Sequence, residues 1–459
     1  MIGDLVKPEL EELIQARAFG ALREFVQDQS APDLAELIAP LRAEDRAVVF
    51  RLLPRPLAAQ TFEHLPLEAQ ESLLRALGDE QVAAILNDMS PDDRTAFLEE
   101  LPAEVTRRLL GLLSPEERTV ARSLLGYPED SIGRLMTPDY IAVREDWTVQ
   151  QVLDHVRAHS RNSETLNVIY VVDKAGRLVD DVRMREFLLV PLDRQVSDLM
   201  DREFVALQAG DDQEVAVAVF RKHDRTALPV TDSAGVLVGI VTVDDVLDVA
   251  EEEATEDFQK LGATEALDEP YLAISLPLLI KKRAGWLVLL FLGELLTATA
   301  MGFFEQELAR ALVLALFIPL IISSGGNSGS QAATLVIRAL AVGEVSLGQW
   351  WRVVRCEAFA GLVLGAILGT LGFVRVAAWS AVAETYGPHA VRVALTVGVT
   401  LLGVVLWGTL SGSTLPLLLK RAGFDPAVSS APFVATLVDV TGLVIYFSVA
   451  SLVLRGTLL

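Results

Sequence analysis

Five long apolar stretches near the C-terminus limit what this chain can fold into more than any other feature. They run at about 284–303, 309–336, 353–376, 393–418 and 429–455. As helices, each is long enough to cross a hydrocarbon core of roughly 30 Å. Backbone groups in lipid must be paired within their own segment, so an α-helical membrane domain with five spans is predicted. With the N-terminus inside, Lys281, Lys282, Arg283, Arg338, Arg352, Arg355, Lys420 and Arg421 fall on the cytoplasmic side. Only Arg310, Arg375, Arg392 and Arg455 fall outside. This bias agrees with the positive-inside rule and puts the C-terminus outside. Five helices make a poor pore wall alone, so a symmetric homodimer is expected.

The rest of the chain has the opposite character. Among 459 residues there are 62 acids and 39 bases, a net charge of −23. Beyond residue 276 stand eight acids and twelve bases, which leaves 54 acids against 27 bases before it, a net of −27. Such a surface repels nucleic acid and anionic lipid, so no nucleic-acid partner is expected for it. The one cysteine, Cys356, can form neither an intrachain disulfide nor a thiolate metal cage. The start, MIGDLVKPELEEL, has no basic segment followed by an apolar core, so no cleaved leader is expected. The prediction is a multi-pass protein of the cell membrane whose first half stays in the cytoplasm.

Residues 1–126 read as an acidic all-α domain. Leu41, Leu53, Leu65, Leu77, Met89, Leu101 and Leu113 stand twelve apart. One helix would rotate them by a third of a turn at each step, so they cannot form a single stripe. Helix starts follow them, as in Met89-Ser90-Pro91-Asp92-Asp93 and Leu113-Ser114-Pro115-Glu116-Glu117. A solenoid of short stacked helices is predicted. Residues 127–250 carry a longer repeat. Met136-Thr137-Pro138-Asp139-Tyr140-Ile141-Ala142-Val143 is echoed by Met200-Asp201-Arg202-Glu203-Phe204-Val205-Ala206-Leu207, and the turn Asp173–Gly176 by Asp232–Gly235. Together with Gly239-Ile240-Val241-Thr242-Val243-Asp244-Asp245, this α/β pattern resembles a tandem pair of CBS domains. Residues 251–278 read as a connecting helix and 279–459 as the membrane domain.

Several residues could carry chemistry. Asp439 lies inside the last span, where a carboxylate costs several kcal/mol unless a cation, a partner or water compensates it. A bond to Thr436 or Thr441 would make it structural. Two copies across a dimer axis would attract a hydrated divalent cation. The second span is interrupted by Ser323-Ser324-Gly325-Gly326-Asn327-Ser328-Gly329-Ser330-Gln331, which must line water or a helix interface. Glu294 is the other acid at membrane depth.

In Asp244–Asp257, eight of fourteen residues are acidic and none is basic. On a helix Asp244, Asp248, Glu252 and Glu256 repel one another at i,i+4. With Asp92, Asp93, Asp212, Glu214 and Asp224 also acidic, packing these surfaces calls for hard divalent cations held by oxygen. Asp92 and Asp93 already serve a helix N-terminus. His155 and His159 lack a third ligand and read as a solvated helix face.

The order of parts resembles the MgtE family of magnesium channels over essentially the whole chain. The motifs that carry the likeness are Gly325-Gly326-Asn327-Ser328-Gly329-Ser330-Gln331-Ala332-Ala333-Thr334, Pro432–Gly442 and Ala254-Thr255-Glu256-Asp257. The resemblance implies a homodimeric Mg²⁺ channel, with pore ion contacts at Asp439, Asn327, Gly326 and Ala435. It makes the acidic connecting helix a plug. It makes Asp92, Asp212, Glu214, Asp224, Asp245, Asp248, Glu253, Glu256 and Asp257 the carboxylates of a cytosolic Mg²⁺ sensor. Ser330 departs from the family's Asn there, which weakens any ion contact at 330. Thr242 and Asp245 match the ribose-binding pair of adenosine-binding CBS domains, so ATP is implied as a regulatory ligand of the second unit. In the first, Asp180-Asp181 and Arg183-Met184-Arg185-Glu186 break that pattern.

The expected activity is Mg²⁺ uptake, closed by internal Mg²⁺. The rival is a proton-coupled divalent-cation carrier with Asp439 and Glu294 as its relay. A CBS-gated enzyme or nucleotide receptor is the third reading. It is disfavoured because the apolar half has one histidine, His389, and no nucleophile–base pair or phosphate loop.

Overall fold

A computed structural model of the chain describes residues 10, 12–160, 163–267, 271–272, 274–382 and 389–455. The first nine residues, read above for a leader, and residues 268–270 and 273 of the connecting segment lie outside these. The chain divides into two units, Met1–Glu251 and Glu252–Leu459.

Among its described residues, the first unit begins with nine short helices: α1 (Phe19–Gln27), α2 (Ala31–Ile38), α3 (Ala43–Phe50), α4 (Arg55–Glu63), α5 (Leu67–Ala76), α6 (Asp79–Asp88), α7 (Pro91–Glu99), α8 (Ala103–Leu112) and α9 (Pro115–Leu124). The twelve-residue interval belongs to the turns. Leu41, Leu53, Leu65, Leu77, Met89, Leu101 and Leu113 each fall between two helices, and all are buried. Helices pack on the ones two places along: α1 on α3, α2 on α4, α3 on α5, α4 on α6, α6 on α8 and α7 on α9. Side chains at twice the interval close the stack. Arg46, Gln70, Arg94 and Arg118 each donate to a carbonyl eight residues back, those of Ile38, Phe62, Leu86 and Leu110, at 2.7–3.1 Å. These carbonyls end the preceding helix and have no partner within it.

Two α/β units follow. The first holds α10 (Ile132–Leu135), β1 (Ala142–Arg144), α11 (Val149–His159), β2 (Val168–Val172), β3 (Leu178–Arg183) and α12 (Met184–Leu189). The second holds β4 (Leu207–Gln208), α13 (Gln213–His223), β5 (Ala227–Thr231), β6 (Leu237–Thr242) and the start of α14 (Val243–Leu261). Both sheets pair the first strand parallel and the third antiparallel to the middle one. Asp173 Oδ1 and Asp232 Oδ1 each accept two backbone N–H groups at 2.7–2.9 Å. They fold the turns ending at Gly176 and Gly235, whose φ of +79° and +78° need glycine. The turns bond to each other, Leu178 N to Gly235 O and Leu237 N to Gly176 O. Tyr170, Leu178, Leu237 and Ile240 form a core shared by both sheets.

α14 covers only the first part of the segment 251–278 read as a connecting helix. It stops at Leu261, where Ala263 takes φ +57° and Thr264 N bonds back to Gln259 O. The next long helix is α15 (Leu276–Phe303), followed by α16 (Glu305–Arg310), α17 (Ile318–Ala341), α18 (Trp350–Val382), α19 (Ala390–Arg421) and α20 (Ala431–Val453). Five helices among the described residues are long and apolar enough to cross a membrane: Leu276–Phe303, Leu312–Ala341, Leu347–Ser380, Ala390–Arg421 and Ala431–Val453. α17, α19 and α20 pack on one another around Ile321, Val404, Val434 and Val438, with α15 against α20 and α18 against α19.

The polar stretch Ser323–Gln331 breaks the apolar pattern without breaking the helix, since α17 is continuous through it. Its serines bond to carbonyls: Ser324 to Leu320 at 2.7 Å and Ser330 to Ala431 at 3.0 Å. Its glycines allow close approach. A Cβ on Gly412 would stand 2.0 Å from Gly329 O, and one on Gly408 2.4 Å from Gly325 O.

Candidate ion site and acidic cluster

The membrane site is built where α17 meets α20. Asp439 stands mid-helix on α20, half-buried. Gly326 on α17 faces it: a Cβ there would lie 3.4 Å from Asp439 Oδ1 and 3.4 Å from Ala435 Cβ. Three of the four residues proposed for an ion thus converge. The fourth, Asn327, is exposed one position further along α17, and its amide donates to Ser323 Oγ at 3.4 Å. Neither threonine that could have neutralised Asp439 does so. Thr436 Oγ1 donates to Pro432 O at 3.0 Å and Thr441 Oγ1 to Leu437 O at 2.8 Å, while Trp407 Nε1 donates to Thr441 Oγ1. Glu294 on α15 lies within electrostatic reach of Asp439, so the neighbouring side chain is a second acid and not a cation. Ser330, bonded to Ala431 O, is committed elsewhere.

The acidic cluster of the first unit gathers at the start of α7 and of α14. Asp92 is buried and Asp245 largely so, and the two repel each other. Burial, then Asp245, Asp93 and Glu164, hold Asp92 well above the carboxylate range. Burial pushes Asp245 up to about 7 despite a 2.6 Å bond from the Thr242 hydroxyl, with Asp244 and Asp93 adding repulsion. Asp248 is raised too, by burial and then by Asp244, Asp93 and Glu251, with His64 opposing. Three further acids belong to the same field and carry no signal in the sequence. Glu63, pushed by burial up to about 7, accepts from Ser90 N at 3.0 Å, and burial also raises Asp139 and Glu164. Their separation along the chain hides them. Among the described residues, no three Asp, Glu, His or Cys side chains are arranged as a ready metal shell. The oxygens fit a hard divalent cation in kind, and the repulsion is what such an ion would relieve.

The other predicted acids lie on α13 and on the later turns of α14. Asp212 caps α13, accepting Glu214 N at 2.9 Å, and Glu214 follows in the first turn. Asp224 is at the opposite end of α13 with φ +48°, about 18 Å from Asp212 for twelve positions at 1.5 Å each. Glu253, Glu256 and Asp257 lie on the last turns of α14. Glu256 there meets Lys260, whose Nζ is 2.5 Å from Glu256 Oε1 and 2.7 Å from Asp425 Oδ2 in the turn between α19 and α20. Sequence reading missed this pair.

Thr242 donates its hydroxyl to Asp245 Oδ2 at 2.6 Å, which leaves the hydroxyl oxygen and Asp245 Oδ1 as acceptors. The first α/β unit, set aside above for nucleotide, holds a cavity of about 290 Å³ where Arg183, Arg185 and Arg225 meet Asp181, Glu186 and Asp201. Arg225 pairs with Asp181 there at 3.2 Å.

Residues 318–449 match the MgtE family of divalent cation transporters, residues 29–130 the MgtE intracellular N domain, and residues 132–192 and 196–252 the CBS domain. The chain is 41% identical over 450 residues to the magnesium transporter MgtE of Thermus thermophilus, covering 97% of this chain and 98% of that one. It is 33% identical over 344 residues to the magnesium transporter MgtE of Enterococcus faecalis, covering 74% and 73%. Among solved structures it resembles the cytosolic domain of the Mg²⁺ channel MgtE in complex with ATP. There the TM-score is 0.51 at 38% identity, over 53% of this chain and 99% of that one.

Proposed function

This chain belongs to the MgtE family of divalent cation transporters, and from that premise we propose that it is a homodimeric Mg²⁺ channel closed by internal Mg²⁺. One observation carries the reading: Asp439, at membrane depth, faces Gly326 and finds no compensating partner in Thr436 or Thr441. A second copy across a dimer axis would double that charge and attract a hydrated divalent cation as cargo. Entry would be driven by the membrane potential, worth about 4.6 kcal/mol for two charges at 100 mV. The cytosolic half would occupy residues 1–126 and 127–250, the plug 251–278 and the pore domain 279–459, with the N-terminus inside and the C-terminus outside.

The same physics supports the sensor. Asp92 and Asp245 repel each other while buried, and Asp248 adds to the field. Mg²⁺ would neutralise them when plentiful and favour the closed form. Asp212, Glu214, Asp224, Glu253, Glu256 and Asp257 would serve contacts made with the plug or the second copy. ATP would modulate gating through Thr242 and Asp245 of the second α/β unit, whose hydroxyl and carboxylate stand within bonding distance of each other.

A test uses proteoliposomes containing a Mg²⁺ indicator. Wild-type protein should admit Mg²⁺ under an inside-negative potential, and Asp439→Asn should admit none while folding normally. The nearness of Glu294 to Asp439 favours one rival, a proton-coupled carrier using both acids as a relay. Flux that follows a proton gradient at fixed potential, and is lost in Glu294→Gln, would select the carrier instead.

A further inference from the structure

The membrane unit holds a cavity of about 630 Å³ that shares no residue with the Gly326–Asp439 site. Leu347, Gly348 and Trp350 line one wall, and Leu417, Leu418 and Arg421 at the end of α19 line the other. Its depth follows from helix length. At 1.5 Å per residue the 32 residues of α19 span about 48 Å, against roughly 30 Å of hydrocarbon. α19 is therefore longer than the hydrocarbon is thick, and Lys420 and Arg421 make its C-terminal end the one suited to the headgroup layer. Trp350 and Trp351, 49% and 62% exposed, are the residues expected at that level.

The cavity is apolar within and basic at its rim. Arg421 is exposed and forms no ion pair among the described residues. Lys420 beside it, and Arg352 and Arg355 on the first turns of α18, are exposed as well. The carbonyls ending α19 would repel an anion, so recruitment falls to these side chains. We propose that this cavity binds an anionic phospholipid, its phosphate held by Arg421 and the top of one acyl chain lying on Leu347, Leu417 and Leu418. The acidity that repels such lipids belongs to the first half of the chain, whereas this rim is basic. A lipid seated here braces the end of α19, from which the turn carrying Asp425 leads to α20 and Asp439. The inference rests on the five helices spanning a bilayer, not on which ion passes, so lipid retention and transport can fail separately.

The test is lipid retention by the purified full-length protein in detergent, offered equal amounts of phosphatidylglycerol and phosphatidylcholine with identical chains, read by native mass spectrometry. Wild type should retain phosphatidylglycerol roughly tenfold more tightly, the size of one charge-assisted contact. Arg421→Gln should bring it to the phosphatidylcholine level. Gly348→Leu should lower both, because a Cβ at Gly348 meets only Ser346 Oγ at 3.9 Å and a longer side chain has the cavity to fill. Equal retention of the two lipids by wild type, or variants indistinguishable from it, would overturn the proposal. So would a change of oligomeric state in Gly348→Leu, which would make a second copy the occupant.

Discussion

Gly326 presents its backbone directly to Asp439, with room for a methyl group and nothing larger: a Cβ would stand 3.4 Å from Oδ1. That is ordinary contact, so Gly326→Ala should fold and conduct. Gly326→Leu should crowd the carboxylate and cut Mg²⁺ flux at least tenfold in proteoliposomes, with the chain still monodisperse in detergent. Gly412 is the contrast. A Cβ there would be 2.0 Å from Gly329 O, so Gly412→Ala should reduce thermal stability before it reduces flux.

Stability should depend on pH in a definite sense. The folded-state pKa of Asp245 is raised from 3.8 to about 7, and that of Asp92 rises too, so the folded chain binds more protons than the unfolded one across that window. Without Mg²⁺, stability should be greatest below the unfolded pKa, fall as pH climbs toward 7 and level off above it. Asp245→Asn keeps an acceptor for Thr242 and removes a charge. It should flatten the loss by on the order of 2 kcal/mol, measured by denaturant unfolding at pH 5 and pH 8. Added Mg²⁺ should stabilise wild type at pH 8 more than the variant. Stability that rises from pH 5 to pH 8 in metal-free wild type would remove the basis for a sensor here.

Lys260 acts as a tethered cation between Glu256 and Asp425, and both carboxylates hold its pKa above the usual lysine value. It ties the end of α14 to the turn that leads into α20. Lys260→Met should raise the internal Mg²⁺ needed for closure by about twofold to fivefold, the range for a partly exposed ion pair. Lys260→Arg should restore the wild-type midpoint. An unchanged midpoint in Lys260→Met would show that this tie plays no part in closure.

Arg94 is fully buried, donating to the carbonyls of Leu86 and Met89 and pairing with Glu117 at 2.5 Å. Arg94→Ala leaves two helix-end carbonyls and a carboxylate without their partner. A loss of about 2–4 kcal/mol in unfolding free energy is expected, with the pore unaffected at temperatures where the solenoid stays folded.

How much of this was legible follows from the range of each interaction. The turns at Leu41 through Leu113 were readable because a fixed interval survives without three-dimensional information. The first span reads as 284–303, yet α15 begins at Leu276. Lys281, Lys282 and Arg283 lower the local hydropathy without interrupting the helix. The polar stretch in the second span looked like a break because glycine and serine disfavour helix in water. Packing against Val404, Val438 and Gly408 overrides that preference. Lys260 and Asp425 are 165 residues apart, and a single lysine after an acidic run reads as mere solvation. Glu63, Asp139 and Glu164 join Asp92 only through the tertiary fold.

The central claim is best tested by recording from the reconstituted full-length protein with Mg²⁺ varied on the cytoplasmic side alone. A Mg²⁺-gated pore predicts resolvable current that falls as internal Mg²⁺ rises and vanishes in Asp439→Ala. Current indifferent to internal Mg²⁺, or flux with no single-channel events that follows a proton gradient, would contradict it.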